Sequence, residues 1–280
     1  MPVSPPRDPP ETLIDAYTLH GRVPLERFFV DDSGAGTGTH YSYAHDEINE
    51  YIEAAHRMLR GRQSARLPST RLWLIEAISS VLAVSSARGL VFGSAEPWVE
   101  ALLLAAGAAN VTTIDYNPLT FEHPDLRTVT AAAFAKDTTY EGAFDLAVAH
   151  GAFDHDGLGR YGDRIHPDGD VLAMRCAWRA LRPGGLLLLS LPVGPDLIVW
   201  NLHRRYGVHR LPRMLSGWHE ERRIGWQSGR MHGEGYDHRR RYEPIFVLQR
   251  NSSAREPTPG PWPPLFEFET SQESAAKEEV

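Results

Sequence analysis

Residues 89–116 read GLVFGSAEPWVEALLLAAGAANVTTIDY, and this stretch decides the fold. Residues 89–93 are a short apolar run that ends in glycine, and residues 111–116 are a β-branched run that contains an acid near its end. Residues 98–106 between them predict a helix, because Pro97 stands where a first helical turn tolerates a missing N–H. A right-handed crossover explains the short connection that follows, and it predicts that the two strands are neighbours.

The same alternation continues along the chain. Helical spacing predicts two earlier helices, over residues 46–59 and after Pro68, the second with an apolar stripe from Leu72 to Leu82. Further apolar runs predict four strands and a helix: strands at residues 127–133, 144–149, 186–191 and 245–248, and a helix at 170–181. We therefore expect an α/β fold, with residues 88–250 forming a doubly wound, mostly parallel, Rossmann-like sheet.

The flanking segments differ from this central part. Residues 11–87 are expected to form an N-terminal helical extension. Residues 1–10 hold five prolines and are expected to be a disordered lead. Residues 251–280 are Pro-rich and then acidic, which is typical of a disordered tail.

Composition limits the classes of function. Hydrophobic residues make up 42% of the 280 residues, which is enough to bury a core, and the single cysteine, Cys176, excludes intramolecular disulfides and Cys-based zinc fingers. The net charge of −7 excludes a globally basic nucleic-acid binder. We find no leader and no apolar run of the roughly 18 residues that span a bilayer, so we expect a cytoplasmic protein without membrane association.

Basic residues concentrate between residues 200 and 242, which hold ten Arg against four Asp or Glu. In an acidic protein this segment favours a small anionic substrate over nucleic acid. A solvated arginine-rich face is an equally good interpretation, and an RNA-modifying enzyme is a third hypothesis that rests on this segment alone.

The predicted strand ends suggest a nucleoside site. Ligands of such sheets bind at the carboxyl ends of the strands, and Asp115 follows Gly93 by 22 residues, a spacing that suits an acceptor for ribose hydroxyls. A pyrophosphate would be repelled by Glu96, whereas a sulfonium nucleoside carries positive charge and no phosphate. This comparison favours S-adenosylmethionine over NAD, although Glu96 alone is equally typical of a helix N-terminus. The glycines of residues 34–38 are interpreted as a flexible loop.

The loop at residues 150–170 contains five Asp and three His. A loop rich in titratable groups at a strand end suits binding or catalysis. His155, between Asp154 and Asp156, is the first candidate for a general base, with Asp163 and His203 as alternatives. A histidine that caps backbone groups is the competing interpretation. A metal site built from Asp154, Asp156 and His150 is a weaker one, and we expect no metal.

Several blocks resemble known families. The Phe144-Asp145 pair, the Asp154-His155 pair and the sequence Leu181-Arg-Pro-Gly-Gly185 follow the order seen in class I S-adenosylmethionine-dependent methyltransferases. The blocks GLGRYGD at residues 157–163 and NLHRRYG at 201–207 resemble, more closely, a methyltransferase-like family of nematode and microbial proteins known as a domain of unknown function. The resemblance covers roughly residues 88–220.

The resemblance implies S-adenosylmethionine as cofactor and methyl transfer as activity. Two features depart from the usual methyltransferase pattern. In the loop after the first predicted strand of the sheet, Val91, Ala95 and Pro97 stand where those enzymes have an acid and two glycines. After the third predicted strand, residues 131–134 stand where those enzymes often have an acid. Adenine would then rest on apolar contacts such as Phe134. The residues expected to bind the cofactor are Gly93, Ser94, Glu96, Asp115, Tyr116, Phe134 and His150. Those expected to bind the acceptor are Arg160, Tyr161, Asn201 and Arg204.

The functional hypothesis is a methyltransferase-like protein that acts on a small polar acceptor, with anionic sugars and nucleotides as first candidates. The alternative is a catalytically inactive Rossmann-like module that binds a nucleoside or a partner. The degenerate glycine loop favours the alternative, and the loop at residues 150–170 favours the enzyme.

Overall fold

The computed structural model describes residues 4–36, 38–61, 67–81, 84–235 and 241–251. Most of the expected tail, residues 252–280, and the first three residues of the expected lead lie outside the described residues, as does Leu82 of the second predicted helix. No helix in the described ranges combines the length and the apolar character needed to cross a membrane.

The helices and strands follow one another in this order: α1 (Glu11–Tyr17), β1 (Leu25–Arg27), β2 (Tyr41–Tyr43), α2 (His45–Leu59), α3 (Ser69–Ser80), β3 (Arg88–Phe92), α4 (Trp98–Ala105), β4 (Asn110–Asp115), β5 (Leu119–Phe121), β6 (Leu126–Thr130), α5 (Ala131–Phe134), β7 (Phe144–His150), α6 (Gly169–Ala180), β8 (Leu181–Ser190), β9 (Leu197–Trp200), β10 (His203–Arg205), α7 (Leu211–Leu215), β11 (His219–Ile224) and β12 (Ile245–Gln249).

The central sheet has seven strands in the order β11-β12-β8-β7-β3-β4-β6. The pairs from β8 to β6 are parallel, whereas β12 runs antiparallel to β8 and β11 antiparallel to β12. Leu90 of β3 lies opposite Thr112 of β4, which confirms that these two strands are parallel neighbours. The chain order reverses between β3 and β7, so the Rossmann-like, doubly wound expectation is also confirmed.

Helices cover both faces of the sheet because its central strands are apolar on both sides. In β3, Leu90 and Phe92 belong to the core beneath α6 and α7. Val91 between them belongs to the core beneath α2, α3 and α4. This alternation is the period-two pattern of a strand that is buried on both faces.

The N-terminal region contains the two predicted helices and also two short strands. β1 pairs in parallel with β9, and β2 pairs in parallel with β5, each over three residues. The predicted strand at residues 127–133 ends earlier than expected. β6 stops at Thr130, whose side chain accepts the backbone N–H of Ala133 and so caps α5.

Candidate active site

A cavity of about 310 Å³ opens at the carboxyl ends of β3, β4 and β7. This is the edge of the sheet where ligands bind in open α/β folds. Its lining comes from the strand ends, from α5 and α6, and from the loop after β7: Tyr41, Phe92, Gly93, Ser94, Ala95, Ile114, Asp115, Tyr116, Asn117, Ala131, Phe134, Gly151, Ala152, Phe153, His155, Asp156, Gly157, Tyr161, Arg164, His166, Gly169, Leu172, Ala173 and Cys176.

The turn after β3 needs glycine for two reasons. Gly93 has a φ of +68°, which L side chains rarely adopt. A Cβ at this position would also lie 3.0 Å from the Cβ of Ala152, at the start of the loop after β7. The turn therefore brings two strand ends into close contact beside the cavity.

Asp115 ends β4 and faces this turn. Its Oδ2 accepts the backbone N–H of Ser94 at 3.2 Å, and its Oδ1 accepts that of Asn117 at 2.8 Å. Burial raises the pKa of Asp115 to about 6, although these N–H donors oppose the shift. Each carboxylate oxygen has a second lone pair, so Asp115 keeps the capacity to accept ribose hydroxyls.

Sequence reasoning missed Glu100, which lies under the same turn. Glu100 is fully buried on α4, within hydrogen-bonding distance of Thr113 Oγ1 (2.7 Å) and Ser94 Oγ (3.1 Å). Burial raises its pKa to about 7. The signal in the sequence was an acid inside the apolar helical run WVEALLLA. Glu96, in contrast, is exposed and does not line the cavity.

Aromatic side chains also line the cavity. Phe134 lines it and stacks on Tyr140 with ring centroids 4.4 Å apart. Tyr116 lines it too, and its hydroxyl donates to Asp156 Oδ1 at 3.0 Å. Burial raises the pKa of the Asp156 carboxyl well above its usual range, and the nearby Asp163 adds to the shift.

The loop after β7 is folded around Asp163. The carboxylate of Asp163 accepts backbone N–H groups from Gly157 at 2.7 Å, from Gly159 at 2.9 Å and from Tyr161 at 3.3 Å. These bonds explain the GLGRYGD block as a compact turn. Asp163 lies outside the cavity lining, whereas Tyr161 is part of it.

His155 lines the cavity with one ring nitrogen already bonded. Nδ1 lies 2.5 Å from the carbonyl oxygen of Leu202, and because a carbonyl only accepts, Nδ1 carries the proton. Nε2 is 3.5 Å from Asp154 Oδ2, and Asp154 is fully buried and also lies 3.6 Å from Arg241. In the neutral ring, this tautomer leaves Nε2 as the group that can accept a proton.

Arg204 does not reach the cavity. Its side chain is fully buried and donates to the carbonyl oxygens of Asp156 at 2.5 Å, Pro167 at 3.2 Å and His166 at 3.3 Å. It also lies 3.6 Å from Asp170, a pair that is fully desolvated. The guanidinium therefore holds the loop in place and is not positioned to anchor an acceptor.

Other predicted residues also have internal partners. The side-chain amide of Asn201 forms two hydrogen bonds with the backbone of Val30: its Oδ1 accepts the N–H at 2.9 Å, and its Nδ2 donates to the carbonyl oxygen at 2.8 Å. The side chain of Arg160 donates to Asp32 at 2.7 Å. The ring of His150 packs edge-on against the ring of Trp98, with ring centroids 5.1 Å apart. Burial lowers the pKa of both His150 and His203 to about 4. None of these four predicted residues lines the cavity.

The basic segment is bonded mainly within the chain. Its described arginines all have partners in the protein, among them Asp170 for Arg210, Asp168 for Arg213 and Glu220 for Arg223. This removes the main argument for an anionic substrate. In the part of the chain that the structure describes, no three His, Cys, Asp or Glu side chains converge as metal ligands.

Comparison with known proteins places the chain in a family. The family model described as "Caenorhabditis protein of unknown function, DUF268" matches residues 86–225, half of the chain. No curated protein matches the chain. The family match confirms the resemblance to a domain of unknown function that the sequence blocks indicated.

Solved methyltransferases are similar at low identity. The 1,6-didemethyltoxoflavin-N1-methyltransferase of Burkholderia thailandensis, with bound 1,6-didemethyltoxoflavin and S-adenosylhomocysteine, is 17% identical, and the match covers 73% of this chain and 87% of that chain with a TM-score of 0.44. An S-adenosylmethionine-dependent methyltransferase of Mesorhizobium loti is 15% identical, with 65% and 98% covered and a TM-score of 0.41. Similarity at this level assigns no substrate and no residue role. The match over residues 86–225 is the decisive one, and the chain belongs to the DUF268 family, described as Caenorhabditis protein of unknown function.

Proposed function

We propose that this protein binds S-adenosylmethionine in the cavity and transfers its methyl group to a small polar acceptor. One observation carries the proposal: Asp115 faces the cavity at the end of β4 and is bonded to the backbone N–H of Ser94 in the glycine turn. This places a carboxyl group beside a close backbone approach, as a nucleoside ribose requires.

The polarity of the cavity lining supports this ligand. Beyond Asp115, apolar side chains offer a surface for a purine ring: Phe92, Ile114, Ala131, Phe134, Leu172 and Ala173. The turn holds only one glycine, Gly93, so it is poorly suited to a pyrophosphate. These two features support S-adenosylmethionine over NAD.

S-adenosylmethionine would supply an electrophilic methyl group to a nucleophilic oxygen or nitrogen. His155 would take the proton of that nucleophile at Nε2, because its Nδ1–H already donates to the carbonyl oxygen of Leu202. The nearby carboxylate of Asp154 would stabilise the positive ring that results. Asp163 is a poorer base because its oxygens accept backbone N–H groups, and His203 lies outside the cavity lining.

The acceptor would enter beside the loop after β7. Tyr161, Arg164 and His166 line this side of the cavity. Because the described arginines of the basic segment have partners in the protein, the first compounds to test include amines as well as anionic sugars and nucleotides.

The experiment is a transfer assay with methyl-labelled S-adenosylmethionine and a panel of sugars, nucleotides and amines. We expect transfer to at least one acceptor by the wild-type protein, and a loss of transfer in His155→Ala at unchanged cofactor affinity. A protein that binds S-adenosylmethionine but transfers methyl to nothing in a broad panel would support the inactive binding module.

A further inference from the structure

The lining of the cavity, which is mostly apolar, includes the carboxyl group of Asp156. Asp156 lines the cavity together with Phe134, Leu172, Ala173 and Cys176. The hydroxyl of Tyr116 donates to its Oδ1 at 3.0 Å. Among the described residues, no protein donor is bonded to Oδ2, which leaves that oxygen available to a ligand.

The backbone holds Asp156 firmly in this position. Its carbonyl oxygen accepts a hydrogen bond of 2.5 Å from the buried guanidinium of Arg204. The next residue, Gly157, has a φ of +82°, and a Cβ there would overlap the carbonyl oxygen of His166. The loop therefore places one carboxyl group at a fixed point of the cavity wall.

Asp156 and Asp115 line the same cavity, and Tyr116 links them. Tyr116 follows Asp115 directly, and its side chain spans the distance from the ribose acid to Asp156. A nucleoside that meets Asp115 with its ribose and packs its base against Tyr116 would meet Asp156. The end of the third strand, where Ala131 lines the cavity, supplies no acid for this purpose.

The chemistry of the group matches the amino edge of adenine. Burial raises the pKa of Asp156 well above its usual range, which favours the neutral form of the carboxyl group. Because Tyr116 donates to Oδ1, the acid proton belongs on Oδ2. Oδ2 can then donate to a ring nitrogen while Oδ1 accepts from an amino group, which is the pattern of N1 and N6 of adenine.

We infer that Asp156, from the loop after β7, recognises the N1 and N6 edge of adenine and makes the site selective for a 6-aminopurine. This inference rests on the proposed function, because it places S-adenosylmethionine in the cavity. It assigns to Asp156 the selectivity that residues 131–134 cannot supply.

The test compares two ligands by calorimetric titration: S-adenosylhomocysteine, and its analogue with hydrogen in place of the 6-amino group. We expect the wild-type protein to bind the analogue about fivefold to tenfold more weakly, since one neutral hydrogen bond is lost. Asp156→Leu should bind the two ligands equally. Asp156→Asn should keep the preference, because its amide has the same donor and acceptor pattern as the neutral acid.

The control is Asp168→Leu, which removes a carboxylate outside the cavity lining and should leave the preference unchanged. If Asp156→Leu does not fold, Asp156→Ala provides the same comparison. A wild-type protein that binds both ligands equally, or an Asp156→Leu variant that keeps the preference, overturns this inference while the proposed function stands. A wild-type protein that binds neither ligand overturns the proposed function itself.

Discussion

The backbone N–H of Ser94 donates to Oδ2 of Asp115 at 3.2 Å, and this bond joins the turn after β3 to the end of β4. The two residues are 21 positions apart in the sequence, and the strands that precede Ser94 and end at Asp115 are parallel neighbours. The bond fixes the position of the Asp115 carboxyl group relative to the glycine turn. It therefore defines the cavity edge at which we place the ribose.

Gly93→Ala should weaken cofactor binding, because an added Cβ would sit 3.0 Å from the Cβ of Ala152 in a backbone region that disfavours side chains. Gly184→Ala is the matched control: Gly184 has a φ of +80° but no atom within 4 Å of an added Cβ. We expect both variants to lose roughly 1 kcal/mol of unfolding free energy from the backbone alone. Only Gly93→Ala should lose affinity for S-adenosylhomocysteine, and equal affinity losses would contradict the role of the turn.

Glu100→Gln should stabilise the protein at alkaline pH. The folded-state pKa of about 7 is above the ordinary value of 4.5, so the unfolding free energy contributed by Glu100 falls as pH rises through this window. Glutamine mimics the protonated acid and does not titrate. The variant should match the wild type near pH 4.5 and exceed it by up to about 3 kcal/mol at pH 8, as measured by urea unfolding.

The control for that series is Glu96→Gln, which changes an exposed acid of the same turn and should shift stability by less than about 0.5 kcal/mol at either pH. A constant difference between Glu100→Gln and the wild type at all pH values would show that the pKa of Glu100 is the same in the folded protein as in the unfolded chain.

His155→Ala should lower the turnover of methyl transfer roughly 10²- to 10⁴-fold, because the acceptor loses its general base. Affinity for S-adenosylmethionine should stay the same, since the proposed contacts to the ribose come from β4. His203→Ala, outside the cavity lining, is the control and should retain turnover. The opposite pattern would assign the base to His203.

Asp170→Asn should be strongly destabilising. Asp170 lies 3.1 Å from Arg210 and 3.6 Å from Arg204, and all three side chains are buried. The two arginines hold the pKa of Asp170 below its usual value against the effect of burial. Removing its charge leaves two buried cations, at a cost of about 3–5 kcal/mol in thermal or urea unfolding.

Asp168→Asn provides the comparison for this prediction. Asp168 pairs with Arg213 at 2.7 Å, but both side chains are more than 30% exposed, so the variant should lose no more than about 1 kcal/mol. Similar losses in both variants would mean that the buried cluster contributes no more than an exposed ion pair.

The positions of six strands of the central sheet along the chain could be predicted, because they depend on local patterns. Short apolar runs of β3 and β4 and the proline before α4 are visible without any knowledge of distant contacts. β1 and β2 could not be predicted, since three residues have no measurable period and their pairing with β9 and β5 depends on the assembled fold.

The candidate site could be predicted only where residues sit at strand ends. Asp115 and Gly93 follow directly from that rule, and His155 follows from its place after β7. The burial of Arg204 could not be predicted, because its partners are Asp170, 34 residues earlier, and carbonyl groups of a folded loop. Sequence shows an arginine near a strand end, but not whether its charge is neutralised internally.

The most direct test of the account is a calorimetric titration of S-adenosylmethionine into the wild-type protein and into Asp115→Ala. We predict binding by the wild type, and at least tenfold weaker binding by Asp115→Ala, because a hydrogen bond to a charged acceptor contributes about 1.5–3 kcal/mol. The variant also loses the acceptor of the Ser94 and Asn117 backbone N–H groups, so its thermal unfolding is measured in parallel and the titrations are run at a temperature at which both proteins are folded. Equal affinity of the two proteins, or binding of NAD in place of S-adenosylmethionine, would contradict the account.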